Sequence, residues 1–252
     1  MFPIRDENPT AHPPITTVLV IIANLVVWGW LQGFGFTDAF PRSLCTHALI
    51  PGELLGLADA GAVISVGPDL ACRIGGGDTS PTLFWSMFMH GSWLHIIGNL
   101  WFLWIFGDNV EDVMGPFRFA LFYLLCGLAA AAAQIASAPA SLVPMVGASG
   151  AIGGVMGAYA RLYPSARVHM LVFFGFFVTT VSVPALFMLG YWFVLQVIAG
   201  LPSIGDSAGG VAFWAHAGGF LAGLGLSYVF VRDDLLDERM RRPVREAERR
   251  WF

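Results

Sequence analysis

Gly147-Ala148-Ser149-Gly150-Ala151-Ile152-Gly153-Gly154-Val155-Met156-Gly157 is the stretch that decides how this chain is read. A serine stands in a glycine-rich turn, and from there to Pro164 almost every residue is apolar or small. Serine alone is a weak nucleophile and needs a base. The chain supplies a candidate in similar surroundings, His216, within Trp214-Ala215-His216-Ala217-Gly218-Gly219. An ionisable side chain inside an apolar span is costly and is read as functional by default.

Composition sets the compartment. The chain has 252 residues, of which 56% are hydrophobic and 12% charged, against roughly a quarter charged for a soluble domain. This is the composition of a polytopic membrane protein. A formal net charge of −4 says little, because topology follows the placement of Lys and Arg. There is no Lys, so 13 Arg carry the whole signal. Three Cys are too few for a disulfide scaffold.

A span needs about 20 mainly apolar residues. Six segments qualify, near 15–32, 94–111, 117–138, 149–164, 184–201 and 211–231. The first, preceded by Arg5, is long for a signal-peptide core and is kept as a span. The expected fold is an all-α bundle of six transmembrane helices. Residues 1–231 form its core, a long outer connection covers about 33–93, and 232–252 are a charged cytoplasmic tail. Within the connection, Leu83 to Met89 is apolar and aromatic enough to lie in the interface. Gly107-Asp108-Asn109 and Glu111-Asp112 close the second span. The tail reads as a helix on the membrane surface or in solution, broken near Pro243.

Residues 168–183 are apolar but short for a span. Ser149 starts one helix and His216 lies in the first turns of another. Two such starts face the same side only if an odd number of spans separates them. Counting 184–201 alone satisfies this, so 168–183 is placed at the interface as a hairpin or short re-entrant piece. With the N-terminus inside, Arg5, Arg118, Arg161, Arg167 and the seven tail arginines are cytoplasmic, and only Arg42 and Arg73 fall outside. That distribution follows the positive-inside tendency.

The second span opens His90-Gly91-Ser92-Trp93-Leu94-His95-Ile96-Ile97-Gly98-Asn99. His95 and Asn99, four apart, share one helix face. In this topology Ser149, His216, His95 and Asn99 all sit in the outer halves of helices that run inward. Each has a plainer explanation: serine bonding its own backbone, histidine or asparagine joining helices. Small residues weigh against it. Gly150, Gly153, Gly154 and Gly157 follow Ser149, and Gly219 and Gly223 follow His216. Such stripes let two backbones approach closely, bringing a histidine to the 2.6–3.2 Å or so that a serine hydroxyl requires. A serine near a helix N-terminus also has free N–H groups and the positive dipole end beside it. Asn99 can donate two hydrogen bonds and His95 one. The nearest carboxylate to His216, Asp206 in the loop before it, reads as a solvated loop residue ahead of a third member of the group.

Gly147-Ala148-Ser149-Gly150, His95-x-x-x-Asn99 and Ala215-His216-x-x-Gly219 together resemble the rhomboid family of intramembrane serine proteases, over roughly residues 15–231. Phe106-Gly107-Asp108-Asn109-Val110-Glu111 with Gly115, and Leu189-Gly190-Tyr191-Trp192-Phe193, match as well. The resemblance implies a dyad without an acid, with Ser149 as nucleophile and His216 as base. It implies an oxyanion and substrate-binding site from the Ser149 N–H, His95 and Asn99, with Gly147 beside them. It also implies single-span membrane proteins as substrates, no cofactor, and a bacterial inner (plasma) membrane setting with the site opening outward. Some relatives stack an aromatic residue, four after the serine, on the histidine. This chain has Gly153 there, which leaves the orientation of the His216 ring unassigned.

Rival classes fit less well. The His-Glu-x-x-His of a metalloprotease is absent, and no Cys or carboxylate completes a metal set with His90, His95 and His216. An aspartyl protease needs two Asp within spans, and only Asp108, at a span end, qualifies. Non-catalytic relatives that escort membrane proteins generally lose the serine or histidine. A transporter would want polar residues on a path across the membrane, and these cluster at one side. Two further expectations concern the outer surface. The Gly- and Ser-rich loop 202–210 leads to His216 and reads as a movable lid, with the fifth span as its side wall. Cys45 and Cys72, both in the outer connection, are expected to form a disulfide, and Cys126, mid-span, to stay reduced.

Overall fold

Gly115-Pro116 makes the corner between two long helices: Gly115 takes φ +76, open to glycine, and Pro116 starts the next helix, where its missing N–H is no loss. The computed structural model describes residues 2–59, 61–66, 71–75, 77–175, 177–204, 211–239 and 241. The α-helices among them are α1 (Ile15–Val26), α2 (Ala39–His47), α3 (Pro51–Leu54), α4 (Thr82–Trp85), α5 (Trp93–Met114), α6 (Pro116–Ser137), α7 (Ser149–Leu162), α8 (Ala185–Gly200) and α9 (Phe213–Phe230). The strands are β1 (Phe2–Asp6), β2 (Val63–Ser65), β3 (Ala71–Arg73), β4 (Arg167–Phe174) and β5 (Phe177–Pro184). A π-type turn, Val27–Leu31, prolongs α1.

The chain is mostly helical, a membrane bundle with α7 at its centre. Residues 150 to 160 of α7 are buried without interruption, packed among α5, α6 and α9. By length and composition Pro116–Ser137, Ala185–Ser203 and Phe213–Phe230 can each cross a membrane. Helix α5 has comparable length but ends in acidic residues. At 14 residues, α7 is about 21 Å long, shorter than a bilayer core of roughly 30 Å.

Strands occur in two places. Residues 168–183, expected as a hairpin or re-entrant piece, form the β4–β5 hairpin, in register from Arg167↔Pro184 to Phe174↔Phe177. Its β-branched and aromatic run favours strand, and Gly175 supplies φ +58 in the connection. The N-terminal strand β1 pairs antiparallel with β4 to complete a three-stranded sheet. Strands β2 and β3 pair within the long connection.

Acidic residues near the end of α5 do more than close a span. Buried Glu111 accepts hydrogen bonds from Thr16 N–H (2.7 Å), Thr17 N–H (2.8 Å) and the Thr17 hydroxyl (2.8 Å). It thereby caps the first turn of α1, whose leading N–H groups lack helical partners. Asp112 accepts from Ala11 N–H (2.9 Å), His12 N–H (2.8 Å) and Arg239 (2.7 Å). Arg239 belongs to helical residues 233–239. It also donates to Asn8 Oδ1 and Asn109 Oδ1 and lies 4.6 Å over the Tyr163 ring. The described part of the tail is therefore docked on the bundle. Pro243 lies outside the described residues.

The described residues of the connection 33–93 are tied to the bundle. Gln32 and His90 exchange side chain–backbone hydrogen bonds of 2.8 Å, and Leu49 pairs with Met145 through N–H···O bonds of 3.0 and 2.7 Å. Of the stretch expected in the interface, Met87 and Met89 are buried while Phe84 and Trp85 are exposed. Cys45 on α2 and Cys72 on β3 are joined as a disulfide, with Cα atoms 5.2 Å apart; Cys126 is a buried free thiol. Such a bridge restricts the unfolded loop and contributes about 2–4 kcal/mol. Alkylating unreduced, denatured protein from an oxidising compartment will modify one cysteine; modification of three would show that the bridge does not form.

Candidate active site

Helices α5, α7 and α9 begin at the same end of the bundle, opposite the three-stranded sheet. Ser92 caps α5 by accepting the His95 N–H at 3.2 Å, which fixes where the helix starts and so the height of His95 and Asn99. The segment entering α7 is held from the side. Met145 is paired to Leu49, and Gly147 N–H donates to Ser86 O at 2.8 Å. Gly147 takes φ +136, which disfavours any L side chain. Ser149 is the first residue of α7, where N–H groups have no carbonyl one turn back.

Four polar side chains meet there. Ser149 Oγ lies 2.8 Å from His216 Nε2. His95 Nδ1 accepts the Gly91 N–H at 3.2 Å, which leaves the ring proton on Nε2. That Nε2 faces the Ser149 hydroxyl across Gly147: a Cβ built on Gly147 would stand 2.8 Å from His95 Nε2 and 3.4 Å from Ser149 Oγ. Glycine keeps this gap open. Asn99 is buried, and its Nδ2 finds no acceptor among the described residues. A cavity of about 620 Å³ lined by His95, Asn99, Gln134, Ser149 and His216 opens over the group.

Glycines bring the helices together. A Cβ on Gly219 would run into the Gly150 carbonyl, and one on Gly223 into the Gly154 backbone. At Gly153 an added Cβ would stand 3.0 Å from the His216 carbonyl oxygen. Gly157 meets the Phe220 backbone in the same way. Helices α7 and α9 thus touch main chain to main chain, and this contact sets the reach from His216 to Ser149.

The residues read from the sequence as catalytic, oxyanion-binding or helix-packing all fall in this region. Asp206 and residues 205–210 of the loop expected as a lid lie outside the described residues. His90 sits beside the group with its ring 5.1 Å from that of His95. Burial, with the neighbouring His95 adding to it, pushes His90 down to about 3, and it stays neutral. Among the described residues no three His, Cys, Asp or Glu side chains gather as a metal set. Sequence reasoning missed Gln196 and the use of Trp192, both on α8. Gln196 Oε1 lies 2.8 Å from His216 Nδ1, and the Trp192 ring is 5.8 Å from the imidazole at 33°. The available signal was a lone amide in a stretch, 168–205, without Asp, Glu, Lys or Arg.

Residues 79–233 match the family model described as a rhomboid domain. The chain belongs to the rhomboid family. It is 28% identical over 178 residues to the mitochondrial rhomboid protein 1 of Saccharomyces cerevisiae, covering 66% of this chain and 46% of that one. It is 34% identical over 129 residues to the rhomboid protease GluP of Bacillus subtilis, covering 51% of this chain and 24% of that protein. Against the human presenilin-associated rhomboid-like protein, mitochondrial, identity is 29% over 153 residues, 58% and 36% of the two chains. This rhomboid chain thus spans less than half the length of each of these relatives. The family includes serine proteases such as GluP, and membership together with the apolar helices makes this a membrane protein.

Proposed function

We propose that this chain is an intramembrane serine endopeptidase that cleaves single-span membrane proteins in or near their transmembrane segment. The observation that carries the reading is the Ser149–His216 contact of 2.8 Å at a cavity also lined by Asn99, whose Nδ2 has no acceptor among the described residues. In this reading α1, α5, α6, α7, α8 and α9 are the six spans. The sheet end and both chain ends face the cytoplasm with Arg5, Arg118, Arg161 and Arg167, and the cavity opens to the outer side. A non-catalytic escort would have no need of this contact or of an open gap at Gly147.

The reaction follows from the donors and acceptors present. His216 Nε2 takes the proton of Ser149 Oγ as the oxygen attacks the scissile carbonyl. Negative charge grows on the carbonyl oxygen and meets the Ser149 N–H, His95 Nε2–H and Asn99 Nδ2–H. The protonated His216 then gives its proton to the leaving nitrogen, and water attacks the acyl-serine by the same route in reverse. Labelling with a fluorophosphonate, followed by locating the adduct, tests the assignment: the label is expected on Ser149 and absent in Ser149→Ala. A folded, membrane-reconstituted preparation unlabelled at Ser149 would end it.

Asn99→Ala is expected to lower kcat by about 10²–10³ with KM little changed, because its donor acts on charge that appears only in the transition state. His95→Ala acts in the same direction. Steady-state kinetics on a reconstituted single-span substrate check this; a rise in KM that accounts for the whole loss would make both residues structural.

A further inference from the structure

The geometry points to Gln196 as the positioning residue of this site, the side chain that fixes the ring orientation and tautomer of His216 from a third helix. The inference rests on the proposed roles of Ser149 and His216 and adds a member to them. For His216 to accept the serine proton at Nε2, its own proton must sit on Nδ1 and be satisfied there. Gln196 Oε1, an acceptor, lies 2.8 Å from Nδ1. The orientation of the amide is set in turn. Its Nε2 donates to the Trp192 carbonyl at 3.4 Å, and a carbonyl can only accept. Reversing the amide would turn its donors toward Nδ1 and would favour the tautomer in which Nε2 carries a proton toward Ser149. That tautomer cannot act as base.

The source of the contact has a packing reason. Gly153, one turn after Ser149, lies against the His216 carbonyl, where a Cβ would be 3.0 Å away. With glycine at this position α7 offers no side chain to stack on the ring, and any side chain placed there would have to move that carbonyl by a few tenths of an ångström. Trp192 and Gln196, four apart on α8, share one face and both reach the ring: the indole lies 5.8 Å from the imidazole at 33°, and the amide oxygen accepts a hydrogen bond from Nδ1–H. An uncharged amide suits the setting, since a carboxylate inside a span is costly.

The test uses the full chain reconstituted in liposomes, with a fluorophosphonate as probe of the serine and a single-span protein as substrate. Gln196→Leu removes the acceptor at similar size. The expected result is a loss of about 10–100-fold in labelling rate and kcat, the range typical when the hydrogen-bond partner that orients a metal-bound histidine is removed. KM and the unfolding temperature in detergent should change little. Gln196→Glu, which can still accept from Nδ1, should recover most of the rate and move the acid limb of the pH–rate profile upward. Wild-type rates in Gln196→Leu would overturn the assignment. If the leucine variant does not fold, an unmoved acid limb in Gln196→Glu overturns it instead. The ¹⁵N shifts of the His216 ring, measured in a Ser149→Ala background, provide a readout without turnover. An Nδ1-protonated ring is expected where Gln196 is intact, and a mixture of tautomers once Gln196→Leu is added; the same mixture in both would also overturn the assignment. A wild-type chain that hydrolyses nothing would end the proposed function while leaving this last measurement decisive for Gln196.

Discussion

Ser149→Ala, His216→Ala and the double variant will lose hydrolysis of a single-span substrate by nearly the same factor, roughly 10⁴-fold or more. Oxygen and imidazole nitrogen are 2.8 Å apart and act on one proton, so deleting either removes the same step. What remains in each case is the proposed oxyanion side of the cavity, formed by His95, Asn99 and the start of α7, which the substitutions leave in place. None of the three should disturb folding much, since Ser149 and His216 line an open cavity. The measurement is kcat/KM for all four proteins at equal reconstituted amounts. Losses that add on a logarithmic scale would show that the two side chains act separately, and the dyad would have to be abandoned.

The candidate site was legible in the sequence because its polar residues stand in apolar or glycine-rich surroundings, where each is conspicuous. Ser149, His216, His95 and Asn99 needed only helix periodicity and a count of spans to be placed at one end. The helices themselves follow from hydropathy to within a few residues. What was hidden depends on contacts between distant parts of the chain. Strand β1, Phe2–Asp6, exists because β4 offers it an edge, and nothing local in Phe-Pro-Ile-Arg-Asp signals that. Glu111 reads as a polar span end until the Thr16 and Thr17 N–H groups arrive beside it. Gln196 is visible as a lone amide in an apolar helix, yet its partner depends on how α8 is rotated against α9. Hydropathy has no access to that angle. The docked tail is a similar case: Arg239 is one of seven arginines in a charged run, and only the assembled pocket of Asn8, Asn109 and Asp112 singles it out.

Gly223→Val will unfold or inactivate the protein while Gly225→Val, two residues along the same helix, leaves it close to wild type. The difference is the neighbour, not the residue type. At Gly225 an added Cβ meets none of the described residues within 4 Å, and a surface change of this kind is usually worth no more than about 0.5 kcal/mol. At Gly223 the Cβ falls on the Gly154 main chain. A rotamer change relieves a clash with a flexible side chain, but a clash with backbone moves the whole helix, at more than the ~1–3 kcal/mol of ordinary overpacking. Separation of α7 from α9 also acts on the chemistry, because Gly150–Gly219 and Gly154–Gly223 are the contacts that hold His216 to Ser149. Gly219→Val, against the Gly150 carbonyl and one turn from His216, should therefore stop fluorophosphonate labelling even in molecules that stay folded. Unfolding temperature in detergent and labelling rate, measured side by side, separate the two effects. Normal stability and normal labelling in both Gly219→Val and Gly223→Val would show that these helices do not meet through their glycines.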